Sequence, residues 1–337
     1  MSDIIFSEGS GLNDSIYGNS QAPLRMMIES RAESFEEKSM LKEIFMMDTS
    51  KHWSEKYTSM TSMSGFSPVG ENGSYPIDGM QEGYSKTLEH TTWKNSFSIS
   101  REIMEDGKLL DLKKKPAAFV KSYYRTREMF GAALLSSAVK GEGNVVFKDQ
   151  SFSAKCADGQ VLFSKTHPCM VKGSNQSNLY ADDFSVDALS YAEEKMQNFR
   201  DDNYNILDVA PNTIIIPNDA GVKKAVYAAI GAENDPDTAN NAYNFQHGRW
   251  RVLTWNYLNQ FLDLSTKVPW ILADTEYNQE YGGAIFVDRT PLDVRSTLDE
   301  NTDANVWRGY ARYTAGFNDW RAFLVGGVTG GSTLVKA

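Results

Sequence analysis

Cysteine is nearly absent from this chain: Cys156 and Cys169 are the two in 337 residues. Two thiols cannot frame so large a protein, so a disulfide scaffold is excluded and a reducing compartment is the default. Long apolar runs are missing as well. The longest are short, such as residues 213–217, Thr-Ile-Ile-Ile-Pro, against the ~20 residues a membrane-spanning helix needs. The first nine residues hold neither a basic region nor a long apolar core, so no secretory signal is expected. Positive charge is in deficit, with 34 Lys and Arg against 44 Asp and Glu and a net charge of −10. That disfavours a dedicated nucleic-acid reader, which grips phosphate through Lys and Arg, and suits a surface that faces nucleic acid without holding it. Low-complexity tracts and internal repeats are absent too.

Catalytic signatures are equally scarce. The four histidines, His52, His90, His167 and His247, stand in no catalytic spacing, and His90 is expected on the surface of a strand. His167 and Cys169 with Cys156 offer three metal-type ligands where a structural zinc site wants four, so ordinary packing of a small sulfur side chain is the better reading. Asp299, Asn301 and Asp303 begin like a calcium loop, but Ala304 stands where Gly is needed and Tyr310 where Glu is needed. A polar loop is expected instead. Gly326, Gly327, Gly330 and Gly331 lack the Gly-Lys-Ser/Thr of a phosphate cradle and read as a flexible end. No Gly-x-Ser-x-Gly elbow is present. No enzyme, cofactor or metal is expected.

What the chain does have is 41% hydrophobic and 12% aromatic residues, enough for one large or two modest domains with a sizeable core. Residues 1–20 are polar and read as extended. A helical period follows over 22–47 through Leu24, Met27, Ile28, Phe35, Leu41, Ile44 and Phe45, as a core helix or, preferably, an arm helix docking on a neighbour. Pro116 sits well at a first helical position and opens a long helix to about 140, with Phe119, Tyr123, Arg127, Phe130 and Leu134 along one face. Further helices are expected at 185–200, capped by Ser185 or Asp183, and at 219–230. Strands are expected at 213–216, 249–255, 270–274, 284–289, 306–317 and 320–325. Elements are segregated rather than alternating, which makes the class α+β.

The most informative stretch is 57–106. It reads as two long strands joined by a tip rich in Ser, Gly, Pro and Asn. The second strand, 84–99, would span roughly 50 Å at about 3.3 Å per residue. A compact body of this length has a radius of gyration of only about 20 Å. Trp93, Phe97 and Ile99 share a face near the base, while the distal part is polar on both faces. A two-stranded hairpin alone is marginal in water. The tip, with Phe66, Pro68, Tyr75, Pro76 and Ile77, therefore needs a neighbour, and the hairpin is an assembly arm.

The order of elements resembles the major capsid proteins of tailed bacteriophages with the Hong Kong 97 fold. Residues 97–106, Phe-Ser-Ile-Ser-Arg-Glu-Ile-Met-Glu-Asp, look like the descent of that family's E-loop. Residues 158–168, Asp-Gly-Gln-Val-Leu-Phe-Ser-Lys-Thr-His-Pro, with 174–178, Ser-Asn-Gln-Ser-Asn, look like the Mu-like head-subunit branch. Residues 211–217, 270–274 and 308–321 fit the same pattern, and the likeness runs over roughly 47–327. It implies an N-terminal arm at 1–55, an E-loop at 56–100, and a peripheral domain at 101–209 with a spine helix at 116–140. It further implies an axial domain at 210–280 and strands returning to the peripheral domain over 281–337. Loops 233–246 and 293–305 become candidates for the capsomer axis or a subunit edge. Copies of the chain would form hexamers and pentamers of an icosahedral head in the virion, assembled in the host bacterial cytoplasm. Packaged double-stranded DNA would be enclosed without sequence-specific binding, and no membrane is involved. The chain reaches its arm almost at once, so a separate scaffolding protein is expected, with a portal and room for a decoration protein. Lys86 and Lys94 lie in the arm, but no isopeptide crosslink is expected. The competing readings are an encapsulin-like nanocompartment shell and a soluble metal-dependent enzyme using His167 and nearby carboxylates.

Overall fold

A computed structural model describes residues 5–6, 18–61, 63, 65–77, 79, 81–105, 109–171, 173–231, 233 and 243–334. A short strand β1 (Ile5–Phe6) precedes helix α1 (Gly18–Glu36), a single turn α2 (Leu41–Ile44) and strand β2 (Met46–Thr49). Strands β3 (Ser54–Met60), β4 (Glu82–Glu89) and β5 (Thr91–Ile99) follow. Helix α3 (Arg101–Glu105) leads to the long α4 (Leu109–Lys140) and the hairpin β6 (Asn144–Phe147) and β7 (Gln150–Ser153). Then come α5 (Val186–Gln197), β8 (Thr213–Ile216), α6 (Ala220–Ile230), β9 (Arg251–Thr254), α7 (Leu258–Phe261), β10 (Trp270–Ala273) and α8 (Thr275–Tyr281). The chain closes with β11 (Ala284–Asp299), β12 (Ala304–Phe317) and β13 (Phe323–Gly326).

Two sheets organise these elements. The larger runs β1-β11-β12-β5, with β2 also on β11. Along β12 the side chains alternate, Trp307, Ala311 and Tyr313 inward and Arg308, Tyr310 and Arg312 outward, as a sheet with one covered face requires. Helix α4 lies across that covered face. Gly309 permits the crossing: a Cβ there would stand 2.4 Å from Cζ of Phe119. The smaller sheet runs β13-β10-β8-β9. Its strands β8, β10 and β13 are buried at every position, which is why they read as unbroken apolar runs rather than alternating ones. Ser185 and Asp219 cap α5 and α6 by accepting from the backbone N–H of Ala188 and Val222.

Five expectations are corrected. The helix over 22–47 is broken into α1 and α2 before β2, and α1 packs on α4 of its own chain. Ile28 and Ala32 are fully buried with Phe119, Val120 and Trp307, so this helix is not an arm docked only on a neighbour. Pro116 lies inside α4, which already starts at Leu109. The strand over 84–99 is divided at His90: β4 pairs with β3, whereas β5 pairs with β12 from Thr91↔Tyr313 to Ile99↔Asn305. The arm is thus only the outer half of the expected hairpin. Residues 293–305 are not a loop but the end of the β11–β12 hairpin, whose turn is closed by Asp299 accepting from Asn301 N and Thr302 Oγ1. Finally, the glycines near the C-terminus are not a loose end. Gly326 and Gly327 are buried, Ser332 bridges Tyr180, and Leu334 N donates to Asp182 Oδ2 at 2.6 Å.

Candidate assembly surfaces

The arm consists of β3, β4 and the residues between them. Its neck is closed by Thr61 N donating to Gln81 O and Gln81 N donating to Thr61 Oγ1, both at 2.9 Å. A tight turn at Gly70–Gly73, with Asn72 at φ 64°, folds the tip back. Among the described residues beyond the neck, the apolar side chains are exposed. Phe66 and Ile77 are as exposed as isolated residues (110% and 99%), Tyr75 is 93% exposed, and Met63 and Val69 are each 54% exposed. Pro68 and Pro76 are exposed as well, so all five expected tip residues stand in solvent. Scattered surface apolar residues are ordinary, but a continuous run of them on a projecting loop marks an interaction surface.

The root of the arm is fixed to the body. Leu88 is buried against Ile285 and Val287, and Gly316 admits it: a Cβ there would fall 2.5 Å from Leu88 Cδ2. Tyr57 donates its hydroxyl to Asp48 Oδ2 at 2.6 Å. Lys86 donates to Ser153 Oγ and to the Lys155 carbonyl, and burial pulls its pKa down. His90, expected on the surface, is instead buried at the point where the chain leaves the arm, with no hydrogen-bond partner on either ring nitrogen. Burial first, then Arg289 and Arg312, hold its pKa below the ordinary histidine value.

The expected base residues pack as a stack. Trp93 lies flat on Tyr313 (4.9 Å, 8°) and donates Nε1–H to the Tyr313 carbonyl at 3.3 Å. Phe97 stacks on Trp307 and meets Phe119 at 5.2 Å, and Ile99 is fully buried. The expected spine residues divide in two. Phe119, Phe130 and Leu134 are core, while Tyr123 and Arg127 lie at its margin. Arg127 reaches back to β11 with a bidentate pair, Nη1 to Asp288 Oδ1 at 2.6 Å and Nη2 to Oδ2 at 2.7 Å, and lies over Phe286 and Tyr313.

The alternative site around His167 is a brace rather than a reactive centre. His167 is fully buried, bonded through Nδ1 to Asp158 at 2.7 Å and through Nε2 to Asn178 at 3.1 Å, and stacked on Trp320 at 4.2 Å. Cys156 is a buried free thiol whose pKa burial pushes up, and Cys169 is also free. Among the described residues no group of three or more His, Cys, Asp or Glu side chains could hold a metal ion. Most of loop 233–246 lies outside the described residues; of its end, Asn244 and Gln246 are buried, Gln246 bonding Glu193 and Trp250. Sequence reasoning missed the buried hinge histidine and the Arg127–Asp288 pair. An arginine set in an otherwise apolar helix face was the signal for the second.

Comparisons with known proteins agree with this architecture. A family model described as phage capsid protein matches residues 83–326. Among solved structures, the asymmetric unit of the bacteriophage PhiM1 mature capsid is similar at 9% identity and a TM-score of 0.50, over 85% of this chain and 85% of that one. A structure of Mycobacterium phage Patience is similar at 9% identity and a TM-score of 0.51, over 93% of this chain and 89% of that one. The search of curated proteins found no match.

Proposed function

The chain belongs to the phage capsid protein family and has the Hong Kong 97 fold, and on that premise we propose that it is the major capsid protein of an icosahedral phage head enclosing double-stranded DNA. Its role is structural rather than catalytic. Copies associate into hexamers and pentamers and close into a shell in the virion, assembled in the cytoplasm of a bacterial host. The arm of β3, β4 and the residues between them acts as the E-loop, with its tip reaching onto a neighbouring copy, and α4 (Leu109–Lys140) as the spine of the peripheral domain at 101–209. Residues 210–280 act as the axial domain. The N-terminal segment is anchored to the body through α1 on α4 and β2 on β11, and β11 and β12 return the chain to the large sheet while β13 completes the small one. A separate scaffolding protein and a portal are the further partners of such a shell, which leaves room for a decoration protein.

The observation that carries this reading is the tip, where Phe66, Tyr75 and Ile77 are almost wholly exposed on a loop whose root is rigidly packed. Burying such side chains on a neighbour is worth about 1.5–3 kcal/mol each. One contact of that size is weak, but a closed shell repeats it many times, and multivalency makes the whole stable. The test is deletion of residues 66–77. The subunit should fold with an unchanged melting temperature and fail to form shells. Normal shells from the deletion would overturn the E-loop assignment. Particles holding a co-purifying enzyme rather than DNA would replace the phage head by a cargo compartment.

A further inference from the structure

The buried histidine at the root of the arm is not satisfied by its own chain. Leu88 and His90 are buried while Glu89 between them is exposed, so the two side chains share a face. Leu88 rests on Ile285 and Val287 of the large sheet. His90 therefore meets the next residues along that face, and the strand register names them. Arg312 of β12 lies across from Thr92 of β5 and Thr290 of β11. At this level β11 carries one residue in excess: Asp288 pairs with Tyr313 and Thr290 with Arg312, which leaves Arg289 between them. A bulge of this kind re-aims a side chain. Alternation from Ile285 and Val287 sets Arg289 on the face of His90 and Arg312, whereas Asp288 turns to Arg127 on α4. Both guanidinium groups lie close enough to His90 to disfavour its charged form.

Three basic side chains thus meet with no acid left to neutralise them. Among the described residues, no ion pair or hydrogen bond involves the side chain of Arg289 or Arg312. Arg312 Nε and both ring nitrogens of His90 are buried without a partner. The acids that face His90 are Glu55 on β3 and Asp288 on β11. Glu55 accepts from Ser50 Oγ, and Asp288 gives both oxygens to Arg127. Folded chains rarely leave buried donors and acceptors unmet, because each costs free energy. An anion among the three groups removes the deficit. A carboxylate brings two oxygens, but a tetrahedral oxyanion brings enough for two guanidinium forks and an imidazole N–H at once. Arg289 and Arg312 are partly exposed, and Arg289 lines a cavity of about 870 Å³ that opens to solvent, so an ion can enter.

We propose that Arg289, Arg312 and His90 form a binding site for a tetrahedral oxyanion of the phosphate class, at the point where the arm leaves the body. The bound ion ties the root of the arm, at the junction of β4 and β5, to β11 and β12. The site is complete within one copy, so it stands or falls independently of shell formation. It also couples ion to proton. An anion beside His90 favours the imidazolium, and by reciprocity the ion binds more tightly as pH falls through the histidine range.

The test uses the unassembled full-length subunit and inorganic phosphate, with chloride at equal ionic strength as the reference. Phosphate should raise the melting temperature and slow amide exchange over residues 88–92. Arg289→Gln or Arg312→Gln should weaken phosphate binding by about tenfold or more, the loss expected for one charge-assisted hydrogen bond. In the wild-type chain the His90 resonance, identified by its absence from His90→Gln, should shift on phosphate addition and titrate at higher pH. Sulfate, which does not itself titrate there, should bind more tightly below the histidine range than above it, and His90→Gln should flatten that difference. Short DNA duplexes present the same group on a backbone. Stabilisation by DNA but not by free phosphate, lost in Arg289→Gln, would uphold the site and place its phosphate on nucleic acid. Equal stabilisation of wild type and of the Arg289→Gln, Arg312→Gln double variant would overturn the proposal. So would a His90 resonance that neither phosphate nor DNA moves, a reading taken on the wild-type chain and independent of how the variants fold.

Discussion

Replacing Arg127 by Met isolates the tie between the spine helix and the large sheet. Both partners of the pair are largely sheltered, with 11% of the Arg127 side chain and 17% of the Asp288 side chain exposed. Truncating one side of such a pair leaves a sheltered carboxylate without its cation, and that costs about 3–5 kcal/mol. Loss of the guanidinium stack over Phe286, at 4.6 Å, adds on the order of 0.5–1 kcal/mol, partly offset by the methionine's own packing. At about 2–4 °C per kcal/mol, the melting temperature of the unassembled subunit should fall by roughly 6–20 °C. The decisive step is the double variant. Arg127→Met with Asp288→Asn removes both charges, and most of the loss should return, because the penalty lies in the orphaned carboxylate rather than in the missing attraction. Thermal and urea unfolding of the four proteins, in the unassembled state so that lattice contacts do not enter, gives the cycle directly. A single variant within about 1 kcal/mol of wild type would refute the buried-pair argument. So would a double variant whose loss equals the sum of the two singles.

Three further outcomes follow from other contacts. Gly309→Ala should destabilise the subunit by about 1–3 kcal/mol, since its Cβ would meet the Phe119 ring at 2.4 Å, and Phe119→Leu in the same chain should recover part of it; denaturant unfolding reads both. His90 has a folded pKa held below its unfolded value of about 6.5, so the unfolded chain binds the extra proton and stability falls as pH drops through and below that value. His90→Phe should flatten the slope of melting temperature between pH 7.5 and pH 5 relative to wild type, and an unchanged slope would exclude the hinge histidine as its source. Tyr75→Ala should leave the subunit's melting temperature alone and raise the concentration needed for assembly, by about thirtyfold if the side chain contributes about 2 kcal/mol per contact; light scattering against concentration measures it.

Much of the local structure was written in the residues. The apolar runs at Thr213–Ile216 and Trp270–Ala273 could only be fully buried strands, and Ser185 and Asp219 stand where helix caps belong. The apolar tip was visible because Phe66, Tyr75 and Ile77 sit among Gly, Pro and Ser with nothing nearby in sequence to cover them. What was not legible was partnership. The alternation over 84–99 continues across His90, so nothing local shows that β4 stays with β3 while β5 joins β12; that exchange depends on residues more than 200 positions away. Helix α1 carries an apolar stripe, but only the arrival of Phe119 and Val120 shows that its own chain fills it. Proline forbids one hydrogen bond of a helix without ending it, so Pro116 marked a boundary that α4 passes through. The glycines after Val325 read as slack, yet Gly326 is small so that Trp270 can lie against it, at 2.3 Å from where a Cβ would be. The last strand also lies in an unexpected place: β13 does not join β11 and β12 in the large sheet but completes the small one beside β10.

The central claim is that copies of this chain close into a shell through their exposed arms. Electron microscopy of the purified full-length protein across a range of concentration and salt tests it most directly. The account predicts closed particles of uniform size built from rings of subunits. Only small discrete oligomers under every condition would contradict it.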